Sequence, residues 1–172
     1  MQDYITTYTK KHFTIMEPEM ADIDINDIAH ALSLMTRANG HFSQFYSVGQ
    51  HSVGCAYEAL ERGYSARVVL GCLLHDGSEA YMADITRPLK QHMSAYLVAE
   101  EKLQNMIFEK FLGQCPSEEE MAQIKSVDDA MLFHEFKCFM NEELDIPEHE
   151  ILTRPAFSTK PFEDVEEDFL LM

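Results

Sequence analysis

The stretch ARVVLGCLLHDGSEAYM, residues 66–82, decides how this chain is read. Its first half is apolar nearly all round, which suits a buried central helix rather than a surface one, and Ser65 stands ready to cap it. Polarity then arrives abruptly at His75-Asp76. An uncompensated carboxylate in a buried helix costs several kcal/mol, so Asp76 calls for a cation, a metal or a strong donor set. Successive helical positions point about 100° apart, so the pair brackets a groove where both side chains can meet one ion. Glu79 follows one turn after His75. Gly71 lies one turn before it, where a missing side chain lets another helix approach closely.

Upstream, SVGQHSVGCAYEALERG opens with Ser47 and Gln50 three residues apart, the capping-box spacing, and stops at Gly63. Within that helix His51 shares a side with Val48 and Cys55 and so faces packed structure. Taken alone, such a histidine is more often a hydrogen-bonded core residue than a ligand. Before it, DIDINDIAHALSLMTRANG sets Ile25, Ile28, Ala29, Leu32 and Met35 at helical spacing, with Asp24 as N-cap and Asn39-Gly40 as the stop. The opening YITTYTKKHFTIM is rich in Thr, Tyr and Ile, which predicts two short strands around a tight connection.

Downstream, ADITRPLKQHM reads as a loop before a fourth helix from about Ser94 to Leu112. Ser117 with Glu120 repeats the capping spacing and opens a fifth helix through about Met140. In that helix Met121, Ile124, Asp128, Met131 or Leu132, and Glu135 share one broad face, while the alternative stripe Ile124, Val127, Met131 and Cys138 leaves Asp128 at a wet boundary. Adjacent Asp129 adds an ambiguity of one position. Pro147, Pro155 and Pro161 keep the tail irregular until a short helix near Glu163 to Leu171. The expected architecture is an all-α helical bundle with a small N-terminal β-hairpin. It forms one domain: hairpin over 1–20, helical core over 21–141, extension over 142–172.

A net charge of −17 on 172 residues argues against a grip on duplex nucleic acid, which needs basic side chains to displace counterions from phosphate. The acidic runs at 118–120, 142–145 and 163–168 read as solvated faces. Cys55, Cys72, Cys115 and Cys138 form no Cys-x-x-Cys pair and read as reduced packing residues. The longest apolar run, 68–74, is far short of the ~20 residues a membrane span needs. A cytoplasmic protein is expected, without a membrane partner.

The ordered set His51, His75-Asp76 and Asp128 resembles the H…HD…D signature of the HD-domain metal-dependent phosphohydrolases. GHFSQFYSVGQHSV, LLHDGSEAYMADITRPLK and VDDAMLFHEF are similar to segments of a phage- and prophage-like subgroup akin to bacterial HD-type 5'-deoxynucleotidases. The resemblance implies that His51, His75, Asp76 and Asp128 hold one divalent transition metal. Two imidazoles and two carboxylates suit Mn, Co, Fe, Ni or Zn, and an ion with open positions polarises a phosphoryl oxygen and lowers the pKa of its water toward ~7. It further implies that Asp84 orients water or protonates the leaving alkoxide, that Glu79 supports either role, and that Arg37 grips phosphate through its planar fork. Without the resemblance, Arg37 closes a helix and Asp84 caps a turn equally well.

Ala38 follows Arg37 where the nucleotidases carry an aromatic residue, which leaves nucleotide selectivity open. His41, Lys90 and Arg87 are further phosphate-binding candidates. On so acidic a chain, the ion, Arg37 and a nearby lysine must create a local positive pocket for a dianionic substrate. The expected activity is hydrolysis of a phosphomonoester, foremost a nucleoside or deoxynucleoside 5'-monophosphate. The alternatives are an alarmone-type pyrophosphohydrolase and a non-catalytic acidic binding module. A homodimer is implied by the family alone.

Overall fold

The computed structural model describes residues 3–146 and 150–172. Pro147, one of the prolines expected to keep the tail irregular, lies outside the described residues. The chain is mostly helical, with a two-stranded hairpin at its start. Strands β1 (Ile5–Thr6) and β2 (His12–Phe13) pair antiparallel, Ile5 opposite Phe13 and Thr6 opposite His12. Asp27 ties the hairpin to the first helix by accepting the Thr9 amide at 2.6 Å and the Thr9 hydroxyl at 2.9 Å. Phe13, fully buried, stacks on Tyr81 with ring centroids 4.0 Å apart.

Helix α1 spans Ile25–Leu34, with Asp24 capping the Asn26 amide as its sequence position predicts. It stops before the expected Asn39-Gly40. At Met35 the chain turns extended, and Thr36 bridges to Ser47 while the Arg37 amide bonds the Tyr46 carbonyl at 2.9 Å. A 3-10 turn (Arg37–Gly40) follows, with Ala38, Asn39 and Gly40 all at positive φ. Pairing with the residues before the second helix has outcompeted another helical turn, and it fixes Arg37 against that helix.

Helix α2 (Val48–Glu61) starts on the Ser47–Gln50 capping box and ends ahead of Gly63, whose φ of +71° needs no Cβ. Helix α3 (Ala66–Leu74), capped by Ser65, packs against α2, α6 and α7, so the apolar stretch is central as expected. It is not one helix through Met82. The α3 helix ends at Leu74, residues 75–78 form a turn, and a single-turn helix α4 (Glu79–Met82) follows. Gln104 holds this break by donating to the Leu74 carbonyl at 2.8 Å and accepting the Ser78 amide at 3.1 Å.

The expected loop contains one further turn of helix, α5 (Arg87–Lys90), before α6 (Ser94–Leu112) and α7 (Glu118–Met140). A Cβ built on Gly71 would lie 2.5 Å from Ile124 Cδ1, so α7 does approach α3 closely at that glycine. On α7 Ile124, Val127, Met131 and Glu135 are buried, Met121 and Cys138 are exposed, and Asp128 lies at the edge of the buried face. After an irregular stretch, α8 (Phe162–Leu171) docks on α1 and α2 through Val165 and Phe169. Among the described residues no helix is long and apolar enough to cross a membrane.

Candidate functional site

Side chains from α2, the break after α3 and the middle of α7 converge on one point. His51 Nε2 lies 3.2 Å from His75 Nε2 and 3.2 Å from Asp128 Oδ1. His75 Nε2 lies 3.4 Å from Asp76 Oδ2 and 3.7 Å from Asp128 Oδ1, and His51 Nε2 is 4.0 Å from Asp76 Oδ2. The other ring nitrogens are committed elsewhere. His75 Nδ1 meets the Cys72 carbonyl at 2.7 Å, which can only accept, so Nδ1 carries the proton. His51 Nδ1 meets Glu135 Oε1 at 2.7 Å. In their neutral forms both imidazoles therefore turn Nε2 lone pairs inward, beside two carboxylate oxygens. Four acceptors aimed at one another need a cation between them.

Groups about 2.0–2.2 Å from a common ion lie ~3 to ~4.2 Å apart, according to the angle between them. The separations of 3.2 to 4.0 Å fall in that range. The donor set therefore fits a divalent transition ion. Without an ion, a proton substitutes. Burial disfavours a charged imidazole at His75, but Asp76 and the hydrogen bond to Asp128 outweigh it and push the pKa up to about 9. Burial likewise opposes ionisation of Asp128, yet His51 and His75 hold it well below the usual carboxylate range.

Asp128, not Asp129, faces the histidines; Asp129 pairs with Lys125 one turn earlier. Arg37 reaches the same place, with Nη1 3.4 Å from Asp76 Oδ2 and Nη2 3.3 Å from Glu135 Oε2. It is thus not merely a helix end. Asp76, Asp128 and Arg37 form one edge of a cleft of about 800 Å³. Glu79, Asp84, His41, Arg87 and Lys90 line it too, so the cleft gathers the expected substrate-side residues. His41 is exposed on it, Arg87 donates to Asp128 Oδ2 at 3.2 Å, and Lys90 bonds Glu100 at 2.7 Å. Phe42, Leu132, Phe136 and Met140 give the cleft an apolar wall.

Glu79 is buried, and burial together with the charges of Asp76 and Asp84 pushes its pKa up to about 9. Burial and Asp76 also raise Asp84, against the opposing pull of Arg37. These two carboxyl groups are suited to holding a proton beside the acceptor cluster.

Two neighbours of the cluster carried no chemical role in the sequence. Glu135, fully buried, sits seven residues after Asp128 on the same helix face and joins His51 to Arg37. Its periodicity was visible, but its partners lie 84 and 98 residues away. Cys55 Sγ lies 3.4 Å from His51 Nε2 and 3.9 Å from Nδ1, and the ligand atoms of His51, Cys55 and His75 all fall within 4.8 Å of one another. Nearly equal distances to both nitrogens set the sulfur beside the ring rather than along the Nε2 lone pair. Burial pushes the Cys55 thiol up, which keeps it protonated and in a packing role.

No family model matches the chain. An uncharacterized protein of Escherichia coli (strain K12), YfdR, is 41% identical over 108 residues, covering 63% of this chain and 58% of that protein. An uncharacterized protein of Rhodobacter capsulatus is 30% identical over 106 residues, covering 59% of this chain and 54% of that one. The chain thus spans just over half the length of these curated relatives.

Proposed function

We propose that the protein is a metal-dependent phosphohydrolase that cleaves a phosphomonoester, foremost a nucleoside or deoxynucleoside 5'-monophosphate. The observation that carries this reading is the convergence of four acceptors, His51, His75, Asp76 and Asp128, at the edge of a cleft furnished with Arg37, Arg87 and Lys90. The resemblance of the H…HD…D pattern to HD-domain phosphohydrolases supports it independently of the geometry.

A divalent ion such as Mn, Co, Fe, Ni or Zn, held by those four side chains, would supply Lewis-acid polarisation of the phosphoryl oxygen and acidify water. The protein supplies the rest. Arg37 points its fork at the same space and binds phosphate oxygens; Glu135 keeps the guanidinium there. Lys90 and the exposed Arg87 offset charge on the non-bridging oxygens. Glu79 and Asp84, with raised pKa values, orient the attacking water and return a proton to the leaving alkoxide. The apolar wall of Phe42, Leu132, Phe136 and Met140 receives the remainder of the substrate and excludes water from it. We place this activity in the cytosol, acting on a small phosphorylated substrate, with the chain working alone or as a homodimer.

The test is phosphate release from a panel of nucleoside 5'-monophosphates with added Mn or Co. Ion-dependent release of orthophosphate, abolished in Asp76→Ala, is expected. No turnover of any phosphate ester by the wild type, or undiminished turnover in Asp76→Ala, would sink the reading. Release of pyrophosphate from an alarmone instead would shift it to the alternative hydrolase.

A further inference from the structure

His75 does not line the substrate cleft. It lines a second cavity of about 410 Å³ on the flank of α6, together with Ser78, Leu97, Glu100, Glu101 and Gln104. Asp76, Glu79 and Lys90 are common to both cavities and form the partition between them. The ligand cluster is therefore approached from two sides.

The two sides differ in charge. The cleft sets Arg37, Arg87 and Lys90 among Asp76, Glu79, Asp84, Asp128 and Asp145, so phosphate-binding cations are interleaved with its carboxyl groups. The α6 side sets Asp76, Glu79, Glu100 and Glu101 against Lys90 and the His75 ring, and Lys90 is held by Glu100 at 2.7 Å. Such a lining repels phosphate and concentrates cations. A second observation points the same way. Glu79 is only 7% exposed, and its Oε2 has no hydrogen-bond partner among the described residues, so a buried carboxyl oxygen stands unpaired at the partition between the two cavities. A buried acceptor left without a donor is costly unless something transiently pairs with it.

We infer that the second cavity is the passage by which a divalent cation reaches and leaves His75 and Asp76, with Glu101 and Glu100 gathering the ion at its mouth and Glu79 receiving it inside. Substrate and metal then use separate routes, so a phosphate ester seated in the cleft does not block exchange of the ion. The inference rests on the metal centre proposed above and adds the path to it.

The probe is Mn²⁺ alone, followed by its rate of uptake into stripped full-length protein and its rate of removal by a chelator. Two variants alter the mouth at exposed positions: Glu101→Lys reverses its charge, and Leu97→Trp narrows it. Both should slow uptake about tenfold while equilibrium affinity for Mn²⁺ and melting temperature stay at wild-type values. Wild-type uptake rates in both variants would overturn the passage. Absence of Mn²⁺ binding by the wild type would overturn the metal centre itself, which separates the two failures.

Discussion

Glu135 meets the Nδ1 of His51 at 2.7 Å from a position with no solvent exposure, and its other oxygen holds Arg37 at 3.3 Å. One carboxylate thereby sets the direction of the His51 ring, proposed above as a metal ligand, and of the arginine beside it. Partners of this kind fix the imidazole tautomer and raise its basicity, and their loss lowers metal affinity about 10- to 100-fold. Glu135→Gln keeps the shape and removes the charge. Equilibrium titration with Mn²⁺ should show weakening by at least about tenfold in this variant. Unchanged affinity would mean that His51 is aligned by packing alone.

Arg37 is predicted to act on substrate rather than on the ion. Lysine in its place keeps the charge but loses the planar fork that spans Asp76 and Glu135. A lost charge-assisted hydrogen bond of about 1.5–3 kcal/mol corresponds to ~10- to 100-fold in kcat/KM. Steady-state kinetics of Arg37→Lys should show that fall while bound metal per chain is retained. Loss of the metal as well would assign Arg37 to the stability of the ligand cluster.

Glu58, fully buried on α2, fastens the tail. It accepts the amides of Leu152 and Thr153, the Thr153 hydroxyl at 2.6 Å and Arg62 Nε at 2.8 Å. Burial alone would raise its pKa, but the bonds from Thr153, Arg62 and Leu152 outweigh it and lower the value. Because folding lowers this pKa, the ionised group contributes fully above its unfolded value of about 4.3, and the contribution is lost as pH falls through the folded value. Glu58→Gln should cost about 2 kcal/mol near neutrality, or ~4–8 °C in Tm. Thermal melts from pH 7 to pH 3 should show the gap to wild type closing with acidity; a constant gap would remove ionisation from the explanation.

Gly49 lets α2 rest against α1 backbone to backbone. A Cβ there would lie 3.0 Å from the Ser33 amide nitrogen and 3.1 Å from the Leu32 carbonyl carbon, and neither can swing aside. Gly49→Ala should destabilise the fold by roughly 1–3 kcal/mol, read as a lower denaturation midpoint with an unchanged slope. Wild-type stability in this variant would show that the helices can separate at no cost.

Much of this fold is written locally. The Ser47–Gln50 and Ser117–Glu120 spacings place the starts of α2 and α7, and the apolar run 68–74 marks the buried helix, because capping and burial depend on neighbours in sequence. The end of α1 was not legible, since it is decided by Thr36 and Arg37 pairing with Ser47 and Tyr46 across the intervening turn. Nor was the break after Leu74, which Gln104 stabilises from thirty residues away. The candidate site divides the same way. His75-Asp76 stands out as polarity within an apolar run, whereas choosing Asp128 over Asp129 needs the rotation of α7 that packing sets.

The proposed metal centre requires that His51, His75, Asp76 and Asp128 together hold one divalent ion. Equilibrium binding of Mn²⁺ to the purified chain, alongside Asp76→Ala and Asp128→Ala, tests it most directly. The wild type should bind one ion per chain, and each variant should bind it at least ~100-fold more weakly. No bound ion in the wild type, or wild-type affinity in both variants, would rule that centre out.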